Sequence, residues 1–373
     1  MKNIGLLTTH SSMNFGGLLQ AYALKQTINE LGFNCEIINY VPETQNPRKN
    51  PVQFVIKRRN FFNKTIFALT HYQEYKSRNF MLYKYRNSFL SPQPLKSVSY
   101  ELLPLEIEKY DAICCGSDQL WNLNLGDMAN GAFMLNFPHQ VRAFSYAVSF
   151  GDGLVTKEEE TIKSLQYIRN FSHISVREKT AKTFLDKHHI ESELCIDPTL
   201  LRTRDWWNSQ VSDKIIDRPY LLIYGFDSAF QRYDDLIQGT KKIANTLGLE
   251  VVNILMAPQL ARAGFQTIFN TGPNDFLNLI KNASYVCTNS FHACVFSYLF
   301  ETPFSVIYNN ELGIDDRKKT LLEMLELSDR FFSVNDIPDK EKLLHCKLSE
   351  ETSIFNQKRK ESFDYLAHAI NGI

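Results

Sequence analysis

The sequence YVCTNSFHACVFSYLFETPF occupies residues 285–304 and combines a strand pattern with a helix pattern. Tyr285–Thr288 is apolar enough for a buried strand, and the polar residues Asn289 and Ser290 separate it from an apolar helical pattern. His292 falls in the first turn of that helix, where unsatisfied backbone N–H groups and the positive end of the helix dipole favour an anion. We therefore expect His292, Asn289 and Ser290 at a ligand-binding edge. A buried, hydrogen-bonded histidine is the structural alternative.

The same alternation of strands and helices occurs in both halves of the 373-residue chain. It predicts an α/β protein with two doubly wound Rossmann-type domains, at residues 1–195 and 196–345, whose ligand-binding strand ends face each other across a cleft. Residues 346–373 predict a C-terminal helix that returns to the first domain.

The composition indicates a globular protein with free thiols. The 41 basic and 41 acidic side chains cancel, so charge gives no reason to expect a nucleic-acid partner. The seven cysteines form no C-x-x-C pair and lie in apolar runs, which suits a reducing compartment. The chain begins with no secretory leader pattern and has no apolar run of membrane-spanning length. These features predict a cytoplasmic location, or one at the inner face of the membrane.

Residues 48–86 differ in composition from the rest of the chain, with ten basic side chains, one acid (Glu74) and nine interleaved aromatics. We expect a helical arm at about 48–90 in the first domain. One interpretation is a solvated arm whose aromatics pack on the domain. The other is a peripheral contact with anionic lipid or with a lipid-linked, phosphate-bearing substrate.

Polar residues follow the predicted strands of the first half. Asn14, Gly16 and Gly17 come after the first strand, in a glycine-bearing loop that permits close backbone approach to a ligand, although a tight turn would explain the glycines equally well.

A strand at Tyr110–Cys115 leads directly into Ser117, Asp118 and Gln119. A carboxylate and two hydrogen-bonding groups are therefore expected at the rim of the sheet, with Asp118 as a turn cap in the alternative interpretation. Arg177 ends a predicted strand at Ser172–Glu178. Its guanidinium suits a carboxylate or phosphate, and a salt bridge to a nearby acid is the alternative.

Several stretches together resemble the polysaccharide pyruvyl transferase family. They are NFGGLLQAYALKQTINELG at 14–32, DAICCGSDQLWN at 111–122, SYAVSFG at 145–151, ISVREKTAKTFL at 174–185, CIDPTLL at 195–201 and DFLNLIKNASYVCTNSFHACVFSYLFETPF at 275–304. Arg317, which leads into a Leu-Leu helix, continues the series.

The resemblance implies a GT-B-like enzyme that transfers the enolpyruvyl group of phosphoenolpyruvate to a sugar of a polysaccharide or lipid-linked glycan precursor, forming a ketal. It makes His292 the catalytic histidine and Arg177 a donor-binding arginine. Many members of the family carry an arginine two positions before the histidine, where this chain has Ser290. Donor binding would then depend on Arg177, on the helix N-terminus or on Arg317.

Ketal formation needs a group that gives and takes protons near neutral pH, which suits His292, with Asp118 as a second catalytic group. Ser117, Gln119 and Asn14 are expected as polar substrate contacts. We expect no cofactor and no structural zinc, because no ligand cluster has metal spacing, and the sequence leaves loosely bound Mg²⁺ open. The alternatives are a GT-B glycosyltransferase that uses a nucleotide sugar and a non-catalytic glycan-assembly protein of the same fold.

Overall fold

The computed structural model describes residues 1–10, 14–42, 70–91, 96–125, 128, 130–226, 232–255, 257–309, 311, 313–348 and 352–373. Most of the predicted basic arm, residues 48–69, lies outside the described residues. The chain divides into two compact units. The first comprises the described parts of Met1–Pro47, Tyr83–Arg202 and Ile354–Ile373, and the second those of Arg48–Leu82 and Thr203–Ser353.

Twelve strands lie in the described residues. They are β1 (Asn3–Leu7), β2 (Asn34–Ile37), β3 (Ala112–Asp118), β4 (Arg142–Val148), β5 (Ser175–Val176), β6 (Glu193–Leu194), β7 (Tyr220–Tyr224), β8 (Glu250–Asn253), β9 (Gln266–Thr267), β10 (Tyr285–Thr288), β11 (Phe304–Tyr308) and β12 (Phe331–Ser333).

Fourteen α-helices are described. They are α1 (Phe15–Glu30), α2 (Tyr72–Tyr85), α3 (Leu103–Ile107), α4 (Gly153–Thr156), α5 (Glu158–Ile168), α6 (Lys179–Lys187), α7 (Arg204–Asn208), α8 (Tyr233–Leu247), α9 (Pro258–Arg262), α10 (Pro273–Lys281), α11 (Phe291–Leu299), α12 (Asp316–Met324), α13 (Lys340–Leu344) and α14 (Ser353–Ile370). None of the described helices is long and apolar enough to cross a bilayer.

Each unit contains one six-stranded sheet whose neighbouring strands are all parallel. The order is β2-β1-β3-β4-β5-β6 in the first unit and β12-β11-β10-β7-β8-β9 in the second. The order reverses beside β1 in one sheet and beside β7 in the other, which is the arrangement that doubly wound folds use to bind ligands at the carboxyl edge. The two Rossmann-type sheets expected from the alternating pattern are confirmed.

Each unit has its own buried core. In the first unit, the Trp121 ring stands at 5.4 Å from Phe150 and 5.6 Å from Phe171, and its indole N–H donates to the Phe133 carbonyl at 3.1 Å. A buried tryptophan needs this partner for its one polar group. In the second unit, every residue of α11 is buried, as expected for a helix that is apolar on all sides.

The C-terminal helix α14 packs on the first sheet, as the sequence predicted. Tyr365 donates to the Ser145 carbonyl of β4 at 2.8 Å, and Ser362 accepts from the Ile196 amide at 3.0 Å. These bonds tie the last helix to the middle and the edge of that sheet.

Two strand predictions were wrong in their extent. The strand expected at Ser172–Glu178 is limited to Ser175 and Val176. The ladder is interrupted because the Ala147 amide donates to the Ser175 hydroxyl at 2.9 Å rather than to a backbone carbonyl. The strand that begins at Ala112 runs through Asp118 instead of ending at Cys115.

The seven cysteines are free thiols, and Cys346 alone is not fully buried. Burial raises the pKa of Cys35 and of Cys287 to about 12, so both remain protonated at neutral pH. Cysteines in these positions pack as small apolar side chains.

Candidate functional site

The turn between β10 and α11 is held by Asn289. Its side-chain oxygen accepts from the Phe226 amide at 2.8 Å, and its side-chain nitrogen donates to the Phe226 carbonyl at 3.0 Å. A Cβ at Gly225 would lie 2.1 Å from that side-chain oxygen, so the glycine makes room for the asparagine. Asn289, expected to contact substrate, therefore joins the carboxyl ends of β7 and β10.

Ser290 and His292 begin helix α11. The Ser290 amide donates to the Thr288 hydroxyl at 2.9 Å, and the Ser290 side chain makes no capping bond to the helix. His292 lies in the first turn, is buried, and packs its ring edge-on against Phe291 at 5.3 Å. The first amides of the helix and the histidine thus share the carboxyl edge of the second sheet.

A group of three charged residues lies beside this turn, and we call it the Asp315 cluster: the buried Asp315 and Lys318, and the partly buried Arg317. The Lys318 ammonium donates to the Asn289 carbonyl at 3.0 Å and to the Asp315 carboxylate at 3.2 Å. Arg317 binds the same carboxylate through two of its nitrogens, one at 2.9 Å. The cluster therefore places a net positive charge next to the helix N-terminus.

The Asp315 carboxylate and the Lys318 ammonium each affect the pKa of the other. Burial by itself would raise the pKa of Asp315, but the Arg317 guanidinium and the Lys318 ammonium outweigh it and hold that pKa well below its usual value. Burial lowers the pKa of Lys318, and the Asp315 carboxylate opposes this change. The aspartate is thus held as an anion, and that anion in turn favours the charged form of Lys318.

Sequence reasoning named Arg317 and missed Lys318. The structure folds Arg317 back on Asp315, whose side chain also caps the following helix by accepting from the Arg317 amide at 3.1 Å. Lys318 stands one turn before the buried Leu321 and Leu322 of α12, so helical spacing places it on the apolar face. That spacing was the available signal.

At the carboxyl edge of the first sheet, β3 ends on Asp118. Its φ of 81° lies in the left-handed region, which aspartate tolerates better than most residues, and the Gly116–Ser117 peptide bond is cis. A Cβ at Gly116 would meet the Tyr146 carbonyl oxygen at 2.1 Å, so glycine alone fits there. Asp118 remains at the rim, partly exposed, as the sequence predicted.

Arg177 lies between two carboxylates. Its guanidinium contacts Asp197 at 2.5 Å and Asp118 at 3.5 Å, and its side chain is 2% exposed. The Thr9 hydroxyl donates to the second oxygen of Asp118 at 3.1 Å. Asp197, which sequence reasoning did not single out, also accepts from the Thr199 amide and hydroxyl at 3.0 and 2.6 Å. The arginine therefore joins the buried Asp197 to the partly exposed Asp118.

The remaining predicted contacts of the first unit serve mainly its own structure. The Ser117 hydroxyl donates to the Ala147 carbonyl at 2.8 Å, and the Gln119 side-chain oxygen accepts from Asn122 at 2.9 Å. Asn14 caps helix α1 by accepting from the Gly16 amide at 3.0 Å. Gly16 and Gly17 lie in the first turn of α1, so the prediction that they form a loop before the helix was wrong.

Two buried polar side chains, Gln20 and His10, form hydrogen bonds at this edge of the sheet, and neither was predicted from the sequence. Gln20 of α1 donates to the Thr8 hydroxyl at 2.9 Å and accepts from the Ser117 amide at 3.1 Å. His10 follows β1 and lies 2.9 Å from both the Thr8 carbonyl and the Asn39 side-chain oxygen. Burial, and then the nearby Arg86, lower the pKa of His10 to about 4. The lowered pKa favours the neutral ring at physiological pH, and a neutral ring can donate to only one of these two oxygens.

No group of three or more histidine, cysteine, aspartate or glutamate residues suited to a metal ion occurs among the residues that the structure describes.

The fold resembles solved sugar-nucleotide enzymes. UDP-GlcNAc 2-epimerase from Methanocaldococcus jannaschii superposes with a TM-score of 0.55 at 14% sequence identity, covering 99% of this chain and 100% of that chain. The same enzyme in complex with UDP-GlcNAc and UDP superposes with a TM-score of 0.53 at 14% identity, covering 99% of each chain. At this identity the likeness shows the fold alone, which is GT-B.

The sequence comparison gives the family. No curated protein matches the chain. The profile of the polysaccharide pyruvyl transferases matches residues 14–311, from the cap of α1 to beyond β11. That span includes both candidate edges, from Asn14 through Asp118 and Arg177 to His292. The chain therefore belongs to the polysaccharide pyruvyl transferase family.

Proposed function

We propose that this transferase moves the enolpyruvyl group of phosphoenolpyruvate onto two hydroxyls of one sugar in a polysaccharide or lipid-linked glycan precursor, as a pyruvate ketal, and releases phosphate. The observation that carries the proposal is the position of His292 in the first turn of α11, next to the net positive Asp315 cluster. A proton-transferring group and an anion-favouring environment meet there, as a phosphorylated carboxylic acid donor requires.

The donor anion would bind at the N-terminus of α11. The amides of its first turn can donate to phosphate or carboxylate oxygens, and the helix dipole favours negative charge there. The side-chain nitrogen of Lys318 lies one hydrogen bond behind the turn. In this proposal the lysine supplies the charge that an arginine at the position of Ser290 would otherwise provide.

In this reaction each of the two sugar hydroxyls loses a proton, and phosphoenolpyruvate gains one. The first sugar hydroxyl adds to C2 of the enol phosphate, and its proton ends, on balance, on C3, which becomes the methyl group. The second hydroxyl then displaces phosphate from C2, and its proton leaves with the phosphate. Both hydroxyl protons are thereby accounted for, and no oxidant or reductant is needed.

His292 would deliver the proton to C3, and Asp118 would accept a proton from an attacking hydroxyl. Asp118 suits that role because it is partly exposed at the end of β3 and is held by Thr9 and Arg177. The ion pairs of Arg177 with Asp118 and Asp197 favour a positioning role for the arginine over the donor contact predicted from the sequence. Arg317 would act through Asp315.

The test is to incubate the protein with phosphoenolpyruvate and a panel of galactose, glucose and N-acetylmannosamine glycosides. We expect phosphate release that depends on an acceptor, and a product with the mass of a pyruvate ketal. His292→Ala should abolish turnover and keep the fold, and the exposed His345→Ala serves as its control.

Two outcomes would contradict the proposal. One is the absence of ketal with every acceptor together with no phosphoenolpyruvate binding by calorimetry, which a non-catalytic assembly protein would give. The other is sugar transfer from a nucleotide sugar such as UDP-GlcNAc under the same conditions, which a glycosyltransferase would give. Full activity of the His292→Ala variant would reject the site even if the reaction were correct.

A further inference from the structure

Helix α2 has one face packed on the protein and one face in solvent. Its inner side chains Arg78, Leu82 and Tyr85 follow one another at helical spacing and are buried. The opposite face exposes three aromatics: Tyr72 is 43% exposed, Phe80 63% and Tyr83 38%. Aromatic side chains of this size are usually buried, so a row of them in solvent indicates a contact surface.

The inner face is fixed in place by specific contacts. The Arg78 guanidinium donates to the Ile254 carbonyl just after β8. The ring of His71, immediately before the helix, stacks on Phe269 at 5.1 Å. Because these contacts fix the rotation of the helix about its axis, the aromatics cannot turn inward without breaking them.

Lysines accompany the aromatics on the outer face. Lys76 lies one turn from both Tyr72 and Phe80. Lys84 lies next to Tyr83 and one turn from Phe80. Both lysines are exposed. The one acid of the helix, Glu74, lies 3.6 Å from His71. We call the five exposed side chains Tyr72, Lys76, Phe80, Tyr83 and Lys84 the α2 stripe.

The aromatic and basic side chains of the stripe match the chemistry of a lipid surface. Tyrosine and phenylalanine insert at the level of lipid headgroups, and lysines beside them attract anionic lipid. Within the helix, Lys76 and Lys84 face solvent and Glu74 is the one acid, so the charge of the stripe complements an anionic surface. We propose that the α2 stripe docks the protein on an anionic lipid bilayer, with Phe80 as the apolar anchor. A lipid-linked acceptor would then be bound where it is displayed.

The experiment measures sedimentation of the full chain with phosphatidylcholine vesicles, with and without 30% phosphatidylglycerol (about one anionic lipid in three, enough for a negative surface). We expect the wild-type protein to bind the anionic vesicles and to remain in solution with the neutral ones. Phe80→Ser with Tyr83→Ser should weaken binding about tenfold or more, since both side chains lose their contact with the interface.

Lys76→Gln with Lys84→Gln should weaken binding by about fivefold for each lysine removed. Two matched controls are available elsewhere on the surface. Leu105→Ser with Val155→Ser removes two exposed apolar side chains, and Lys187→Gln with Lys340→Gln removes two exposed lysines. Both controls should bind like the wild type.

Several results would overturn the proposal. One is that the wild type does not bind anionic vesicles. Another is that the stripe variants bind them as well as the wild type does. A third is that the control variants lose as much vesicle binding as the stripe variants. A wild-type dimer that the Phe80→Ser and Tyr83→Ser changes convert to a monomer, without vesicle binding, would identify the stripe as an interface between copies. Binding to a DNA duplex but not to vesicles would also contradict it. The measurement uses no donor, so it does not depend on the proposed reaction.

Discussion

The ammonium of Lys318 lies 3.0 Å from the backbone carbonyl of Asn289, three residues before His292. A lysine so deeply buried is retained because the Asp315 carboxylate is its counter-ion and a carbonyl accepts a second hydrogen bond. The side chain of Lys318 is therefore held beside the turn by the protein itself, before any ligand binds.

Lys318→Met should weaken phosphoenolpyruvate binding and lower the free energy of unfolding. The lysine is buried and paired, and removing one partner of such a group costs about 3 kcal/mol, even though Arg317 still neutralises Asp315. Urea unfolding and calorimetric titration measure the two effects. Lys319→Met, at the exposed neighbouring position, should change neither. Wild-type donor affinity in a folded Lys318→Met protein would contradict the role given to the lysine.

Arg177→Met should lower the free energy of unfolding by about 3–5 kcal/mol, because it leaves the buried Asp197 without its cation. If Arg177 positions Asp118, kcat should also fall more than KM for the donor rises. Steady-state kinetics in the presence of saturating acceptor separates the two constants. A stable variant with a raised donor KM and an unchanged kcat would restore the donor-binding role predicted from the sequence.

Asp118→Asn should lower kcat by about 10²–10⁴-fold while the protein stays folded and still binds phosphoenolpyruvate. Asparagine also tolerates the φ of 81° and can still accept from Thr9. Asp118→Ala adds the backbone strain that an alanine suffers there, about 1–2 kcal/mol. Comparing the two variants by kinetics and by thermal unfolding distinguishes loss of the base from loss of the fold. Turnover of the asparagine variant at the wild-type rate would exclude Asp118 as a catalytic group.

Gly116→Ala should destabilise the protein by about 3 kcal/mol or more, since the new methyl group would overlap the Tyr146 carbonyl oxygen at 2.1 Å in a tightly packed sheet. Gly32→Ala is the matched control. It has a φ of +91° but nothing within 4 Å of its Cβ, so it should cost only the backbone strain of about 1–2 kcal/mol. Equal costs in urea unfolding would show that the contact with β4 is not what selects glycine at position 116.

Acidification should destabilise the fold through His10. Its pKa is about 4 in the folded protein against an ordinary value of 6.5, so within that window the unfolded chain binds a proton that the folded chain does not. Stability should then fall as the pH drops from about 6.5 to 4, by up to about 1.4 kcal/mol per unit from this one group.

His10→Gln should flatten the dependence of unfolding free energy on pH in that window, and the exposed His345→Gln should leave it unchanged. An identical slope in the wild type and in His10→Gln would mean that other groups cause the acid sensitivity.

The strand and helix around His292 could be predicted from the sequence because their signals are local. The strand Tyr285–Thr288 was predicted with the bounds that the structure shows. The short edge strands were harder, because β5 depends on a serine hydroxyl that replaces a backbone acceptor in the ladder. Nothing in the local pattern of SHISVRE carries that information.

The candidate site was only partly predictable. The positions of His292 and Asp118 at sheet edges follow from strand–turn–helix order. The partners of Arg177, in contrast, come from 59 residues before it and 20 residues after it, and periodicity does not reveal contacts across strands. Lys318 was missed because lysine is almost always solvated, even though its helical position pointed inward.

The depth of Lys318 also affects how the protein should respond to salt. Mobile ions screen exposed charges over about 8–10 Å at physiological ionic strength, but they reach buried pairs far less. Lys318 is 1% exposed, whereas Lys76 and Lys84 of the α2 stripe face solvent. Raising the salt concentration should therefore release the protein from anionic vesicles while changing its affinity for phosphoenolpyruvate much less. A single ionic-strength series would separate attachment from donor binding in one molecule.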